Sequence, residues 1–210
     1  MREYSFGDGP ISEDFFRQRI SGRSNADICG DLFPEWTAEQ GIAFSAYKEQ
    51  AFRDRAADRL AALKMPGLDT LIAWVDDHGL QKAAVTNAPR ANAEQMLSAI
   101  GRQQWFDTLV IGDECSAAKP DPEPYRAAMR TLGVTPAECV AFEDSPSGAR
   151  AAVAAGVHTI GVLSTQPAAS LVAAGCSTLI VDFDDVALWE DLTKLTDRGD
   201  ALKAASVADS

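Results

Sequence analysis

From residue 83 onward, five short apolar runs recur, each followed by a stretch with helical pattern: AAVT (83–86), TLVIG (108–112), CVAFE (139–143), HTIGVL (158–163) and STLIVDF (177–183). None alternates apolar with polar residues. A strand with one wet face alternates, whereas a continuous run needs cover on both faces, the situation of parallel strands joined by crossover helices. The intervening segments supply those helices: one starting near Arg90, PEPYRAAMRTLG, residues 146–155, one after Gln166, and DVALWEDLTKL. The pattern predicts an α/β fold with a doubly wound parallel sheet. The segment before it, from about 12 to 63, reads as helix alone, with Ser12 and Ser24 as N-caps. Its longest helical stretch, AEQGIAFSAYKEQAFRDRAADRLAAL, carries Ile42, Tyr47, Ala51, Phe52 and Leu60 at roughly helical spacing. Met65-Pro66-Gly67 ends that pattern. The expected organisation is a helical module over 1–65, an α/β core over 66–196 and a polar tail over 197–210 that frays.

A chain of 210 residues can bury one sizeable core, or a core with a small insert. Its net charge of −12 argues against nucleic acid or an anionic membrane surface as partner. No run of 18 apolar residues suggests a membrane span, and the opening MREYSFGDGPISEDFF has neither the basic nor the apolar region of a secretory signal. Cys29, Cys115, Cys139 and Cys176 are scattered, which fits reduced thiols in a reducing compartment. That points to the cytoplasm, or to an organelle such as a plastid were a targeting segment to precede. His78 and His158 lack partners at metal-ligand spacing and read as surface or loop residues.

In open parallel sheets, ligands sit outside the carboxyl ends of the strands. AAVT ends in Thr86-Asn87, the loop after TLVIG reaches Lys119, and CVAFE ends in Glu143-Asp144. A hydroxyl, an ammonium and two carboxylates at one rim suit a phosphoryl group. The hydroxyl can donate to a phosphoryl oxygen, and the ammonium follows the charge of the transition state. The carboxylates are hard ligands suited to Mg²⁺. Each element has a plainer reading by itself: Thr86-Asn87 as a strand end with an N-cap, Lys119 as a solvated lysine, Glu143-Asp144 as acids capping the next helix. The ordered conjunction is the specific signal.

TNAPRANAE, KPDPEPY and FEDSPSGARAAVAAG resemble the second, third and fourth motifs of the haloacid dehalogenase-like (HAD) hydrolases. The likeness is closest to the subgroup with a helical cap that holds β-phosphoglucomutase and small sugar-phosphate phosphatases, plant-type ones above all, and extends to about residue 195. ISGRSNADICGDLFPEW resembles the cap's substrate loop and second helix. The resemblance implies a Rossmann-like core under a helical cap and a Mg²⁺-dependent phosphatase of small sugar phosphates. It implies that Thr86 and Asn87 bind the phosphoryl group, that Lys119 orients it and the nucleophile, and that Glu143 and Asp144 bind Mg²⁺. Gly22, Arg23, Ser24 and Asn25 would meet the leaving group.

The family's first motif, DxDGTL, closes its first strand and supplies the nucleophile and the general acid/base; no such motif occurs in these 210 residues. The sequence reads as starting where the family's first cap helix ends, so the first strand and first cap helix are expected to be missing. Asp8, in Gly7-Asp8-Gly9-Pro10, lacks a preceding strand, and Asp182-Phe183-Asp184-Asp185 follows the terminal one; neither is expected to be the nucleophile. The first strand of this fold lies between the strands ending at Thr86 and Glu143, so two sheet edges are expected to be left unpaired. The reading is therefore a phosphatase that works through an aspartyl-phosphate when complete and is inactive as this chain. A phosphosugar-binding pseudoenzyme, a non-functional fragment and a phosphosugar mutase are the alternatives. A dehalogenase is disfavoured because its chemistry needs no metal.

Overall fold

The computed structural model describes residues 11–60, 64–164 and 166–208. Three helices come first: α1 (Glu13–Arg19), α2 (Asn25–Leu32) and α3 (Ala38–Leu60). The Ser12 hydroxyl accepts from the Phe15 N–H and the Ser24 hydroxyl from the Asp27 N–H, so both serines cap as their positions predict. These helices share a small apolar core of Cys29, Phe33 and Phe44, with Leu32 and Trp36 packed against it. Phe33 stacks on Trp36 at 3.7 Å and meets Phe44 edge-on at 5.3 Å.

The orientation of α3 corrects the sequence reading. Ile42 is 70% exposed and Tyr47 and Phe52 are 40% exposed, whereas Phe44 is buried. The inward face runs through Gly41, Phe44, Ser45, Lys48, Glu49 and Arg53. Its second half is polar because α3 docks there on α5 through hydrogen bonds: Asn92 donates to Glu49, and Arg53 Nη1 donates to Asn92 Oδ1 at 2.6 Å. A buried carboxylate is tolerated when partners of this kind surround it.

The α/β part begins with α4 (Leu68–Asp77), a helix the sequence reading passed over. Then come β1 (Ala83–Thr86), α5 (Arg90–Ala99), β2 (Thr108–Ile111), α6 (Glu123–Leu132), β3 (Val140–Glu143), α7 (Pro146–Ala154), β4 (His158–Val162), α8 (Ala168–Ala173), β5 (Thr178–Ile180) and α9 (Val186–Ala208). Every strand falls within its apolar run, and every strand pairing among the described residues is parallel. Helices cover both faces. Ala141 faces α6 and α7 with Tyr125, Met129, Ala151 and Ala152. Ile160, Val162 and Ile180 meet Leu71 of α4 and Leu188 and Leu192 of α9 on the other face.

The ladder is not continuous. β1 pairs with β2 (Ala83 opposite Thr108, Thr86 opposite Ile111), and β3, β4 and β5 form a separate sheet (Val140 opposite His158, Ile160 opposite Thr178). Among the described residues no ladder joins β1 to β3. The seam falls where the resemblance puts the family's first strand.

One C-terminal expectation changes. Residues 197–208 continue α9 instead of forming a tail, consistent with the strong helix propensity of Ala201, Ala204 and Ala205; 209–210 lie outside the described residues. His158 opens β4, at the start of the run HTIGVL: its Nε2 lies 2.8 Å from Asp191 Oδ2, which also accepts from the Thr178 hydroxyl at 2.8 Å and ties α9 to the sheet. Asp182, Asp184 and Asp185 follow β5, where Asp182 and Asp185 accept hydrogen bonds from backbone N–H groups of their own loop. Asp8 lies outside the described residues. No helix among the described residues is long and apolar enough to cross a membrane.

Burial works to raise the Asp191 carboxyl, but the hydrogen bonds from His158 and Thr178 outweigh it and hold its pKa below the ordinary value. A depressed folded-state pKa stabilises the fold above the unfolded value, about 3.9, and the effect is lost as pH falls through the folded value. Asp191→Ala is thus expected to lower stability by about 1.5–3 kcal/mol at pH 7 in denaturant melts. The gap from wild type should narrow in acid below pH ~4.

Candidate active site

The rim residues gather at the seam. Lys119 arrives on the loop after β2, and its backbone is held from two sides by one amide: Asn87 Oδ1 accepts from the Lys119 N–H at 3.1 Å, and Asn87 Nδ2 donates to the Lys119 carbonyl at 3.0 Å. So fixed, the side chain turns inward and is 7% exposed. Its ammonium donates to the Val85 carbonyl of β1 at 2.8 Å and to Glu143 Oε1 of β3 at 2.5 Å. The two half-sheets therefore meet through one cation at their carboxyl ends.

Glu143 is equally buried and well supplied with donors. Besides Lys119, the Tyr125 hydroxyl donates to Oε1 at 2.5 Å, and the Ser145 hydroxyl lies 3.4 Å from Oε2. The Lys119 ammonium also stands 5.0 Å over the Tyr125 ring. Burial first, and then the charge of Glu143, push the Tyr125 phenol well above its ordinary pKa, so it stays a donor. Ser145 caps α7 by accepting from the Gly148 N–H at 3.0 Å, and a Cβ at Gly148 would overlap the Glu143 carboxylate.

The remaining predicted residues divide. The Thr86 hydroxyl accepts from the Ala88 N–H at 3.0 Å at the rim. Asp144 is exposed and accepts from the Ser164 hydroxyl at 3.1 Å, while Lys119 and Tyr125 hold its neighbour Glu143. Of the four loop residues, Gly22 packs directly on this rim, and Ser24 lines the cleft beside Lys119. The Gly22 backbone has φ +72°, its carbonyl lies 3.5 Å from Asn87 Nδ2, and a Cβ there would strike Ser145. Arg23 instead donates to Asp31 at 2.8 Å and to the Arg19 carbonyl, and the Ser24 hydroxyl donates to Asp27 at 2.8 Å; both are spent within the N-terminal helices. Asn25 opens α2. Tyr125 is the rim residue the sequence reading did not single out. The available signal was its place with Ala128 and Met129 on the buried stripe of α6, a hydroxyl in an otherwise apolar row.

Between α2 and the loop 112–122 lies an open cleft of about 690 Å³, lined by Ser24, Asp27, Asp113, Lys119 and Asp121 among others. Burial, and then the charges of Asp27 and Glu49, push the Asp113 carboxyl above its ordinary value. Glu143 and Asp144 fit Mg²⁺ in kind, as hard oxygen donors on successive residues at a strand end. They fit it as a partial set: no group of three or more His, Cys, Asp or Glu suited to a metal occurs among the described residues, and Glu143 Oε1 already carries two donors.

A model of a family described as haloacid dehalogenase-like hydrolase matches residues 2–162. The chain is 35% identical over 129 residues to the validoxylamine A 7'-phosphate phosphatase of Streptomyces hygroscopicus subsp. limoneus, a match spanning 61% of this chain and 60% of that protein. It is 32% identical over 141 residues to the fructose-1-phosphate phosphatase YqaB of Escherichia coli, spanning 61% of this chain and 72% of that one. The solved β-phosphoglucomutase of Clostridium difficile superposes with a TM-score of 0.79 over 94% of this chain and 86% of its own, at 18% identity, a likeness of fold alone. With the family model matched over more than half of its residues, the chain belongs to the haloacid dehalogenase-like hydrolases.

Proposed function

We propose that this chain carries most of a Mg²⁺-dependent phosphatase of small sugar phosphates, and that these 210 residues by themselves bind ligands without turning them over. The observation that carries the reading is the Lys119 ammonium held between Val85 and Glu143 at the common carboxyl end of the two half-sheets. The names of the two phosphatases above, which give fructose 1-phosphate and validoxylamine A 7'-phosphate as substrates, support the substrate class.

Each residue has a role that its chemistry suits. The Thr86 hydroxyl and the Asn87 backbone N–H would donate to phosphoryl oxygens, and Lys119 would meet the charge that grows on them during transfer. Glu143 and Asp144 would hold Mg²⁺, which when bound supplies charge neutralisation at the phosphoryl group. The Gly22 turn, packed on Ser145, would narrow the access of water to the rim, with the leaving group in the cleft beside Asp27 and Asp113. The nucleophile is the part these residues lack, since among the described residues no DxD motif stands at a strand end facing Lys119. The Lys119–Glu143 ion pair favours the second reading, a binding module without turnover, for the chain by itself: it already neutralises the carboxylate that would serve the metal.

Thermal melts with MgCl₂ and inorganic phosphate test the binding. Both ligands are expected to raise the melting temperature, and Asp144→Asn, at an exposed position, should abolish the Mg²⁺ response while moving ligand-free stability by no more than ~0.5 kcal/mol. A protein indifferent to both ligands would refute the reading. No phosphate release from a sugar-phosphate panel is expected from these 210 residues; Mg²⁺-dependent release that Asp144→Asn removes would show turnover and overturn the second half of the proposal. Removing one partner of the buried pair leaves the other uncompensated, so Lys119→Ala should lose about 3–5 kcal/mol in denaturant melts. The double variant Lys119→Met/Glu143→Leu should recover much of that.

A further inference from the structure

We infer that Tyr125 is a positioning residue for Glu143, holding one carboxylate oxygen so that the other stays turned to the rim. The inference rests on the reading of Glu143 as a metal-facing carboxylate and adds to it a residue outside the set named above. Tyr125 comes from α6, whose buried stripe of Tyr125, Ala128 and Met129 packs on Ala141 of β3 and on Ala151 and Ala152 of α7. Packing on two elements fixes the ring, so the hydroxyl meets Oε1 from a rigid support.

Two donors, Tyr125 and Lys119, converge on that oxygen at 2.5 Å each. Among the described residues Oε2 has the Ser145 hydroxyl alone, at 3.4 Å. The two donors differ in what else they do. Lys119 is the residue a phosphoryl group would draw toward itself, and a glutamate held by Lys119 alone would lose its anchor at that moment. The phenol is buried, carries no charge and has no competing role. Tyr125 therefore keeps Oε1 engaged when Lys119 turns to phosphate, and the Glu143 conformation does not depend on which ligand is present.

Tyr125→Phe keeps the ring, its packing and its face toward Lys119, and removes the hydroxyl alone. In Mg²⁺ titrations of the 210-residue chain by calorimetry, the variant is expected to bind roughly tenfold more weakly, with a larger loss when inorganic phosphate is present. Leu188→Ala, which loosens the core on the other face of the sheet and leaves the Tyr125 stripe intact, should lower stability and leave Mg²⁺ affinity at the wild-type value. Equal Mg²⁺ affinity in wild type and Tyr125→Phe, or the same loss in Leu188→Ala, would overturn the inference. If the wild type binds no Mg²⁺ the metal reading fails. The carbon NMR signal of the Glu143 carboxylate, recorded without metal, then decides the positioning role: displaced in Tyr125→Phe it supports the role, unmoved it ends it.

Discussion

The Lys119 ammonium spans the seam of the sheet, and much of the rim's geometry follows from what it does there. In a continuous parallel sheet the Val85 carbonyl would accept from a neighbouring strand's N–H. Here the neighbour is the ammonium, 2.8 Å away, and its other partner is the glutamate that ends β3. A buried ion pair contributes only when geometry and extra hydrogen bonds offset the desolvation of both charges. Those bonds exist: Asn87 fixes the lysine's backbone, and Tyr125 and Ser145 flank the carboxylate. The loop after β1, the loop after β2, the end of β3 and the first turn of α6 are thereby tied into one polar knot, which an apolar filling of the seam would not specify in direction.

The N-terminal helices relate to the core by a different kind of contact. Their own apolar core is small, centred on Phe33, Trp36 and Phe44, and among the described residues it takes in none of the α/β part. Against α5 the surface of α3 is polar, through Glu49, Arg53, Asn92 and the Gln95 amide that donates to the Arg53 carbonyl at 3.0 Å. Directional bonds of this sort fix an orientation while water can replace them at little loss, unlike buried apolar area. That orientation sets the Gly22 turn against Ser145.

The core strands were legible because each is a continuous apolar run in a sheet covered on both faces, a pattern read directly from AAVT, VAFE or HTIGV. α4 escaped because LDTLIAWVDD lies between the Met65-Pro66-Gly67 break and the first apolar run, outside the strand-then-helix alternation by which the other core helices were read. The face of α3 was misjudged for a physical reason: amphipathicity marks the buried face only when burial is apolar, and Glu49 and Arg53 face inward through hydrogen bonds made to residues some forty positions away. At the site, strand order alone brought Asn87, Lys119 and Glu143 together. It could not say that Asp144 would accept from Ser164, a residue of the loop after β4 with no sequence pattern that pairs the two. It could not say that Arg23 would fold back on Asp31, since a long side chain follows the nearest buried or charged partner and not the motif it belongs to.

The segment FEDSPSG is best understood as instructions for one side chain. The carboxylate of Glu143 lies across the first turn of α7, close enough to Gly148 that any Cβ there would overlap it. Ser145 can cap that turn only if its hydroxyl points inward, toward the Gly148 N–H, and in doing so it stands beside Glu143 Oε2. Pro146 needs no N–H at the first helical position and starts the turn tightly. On the other side of Ser145 sits Gly22, at φ +72° and with no room for a side chain. Two glycines far apart in sequence thus serve one constraint, the close approach of a loop and a helix start to a serine and a glutamate. The small residues around the carboxylate pair are there because a long acid must be folded back and held, and the space for that has to be left empty of everything else.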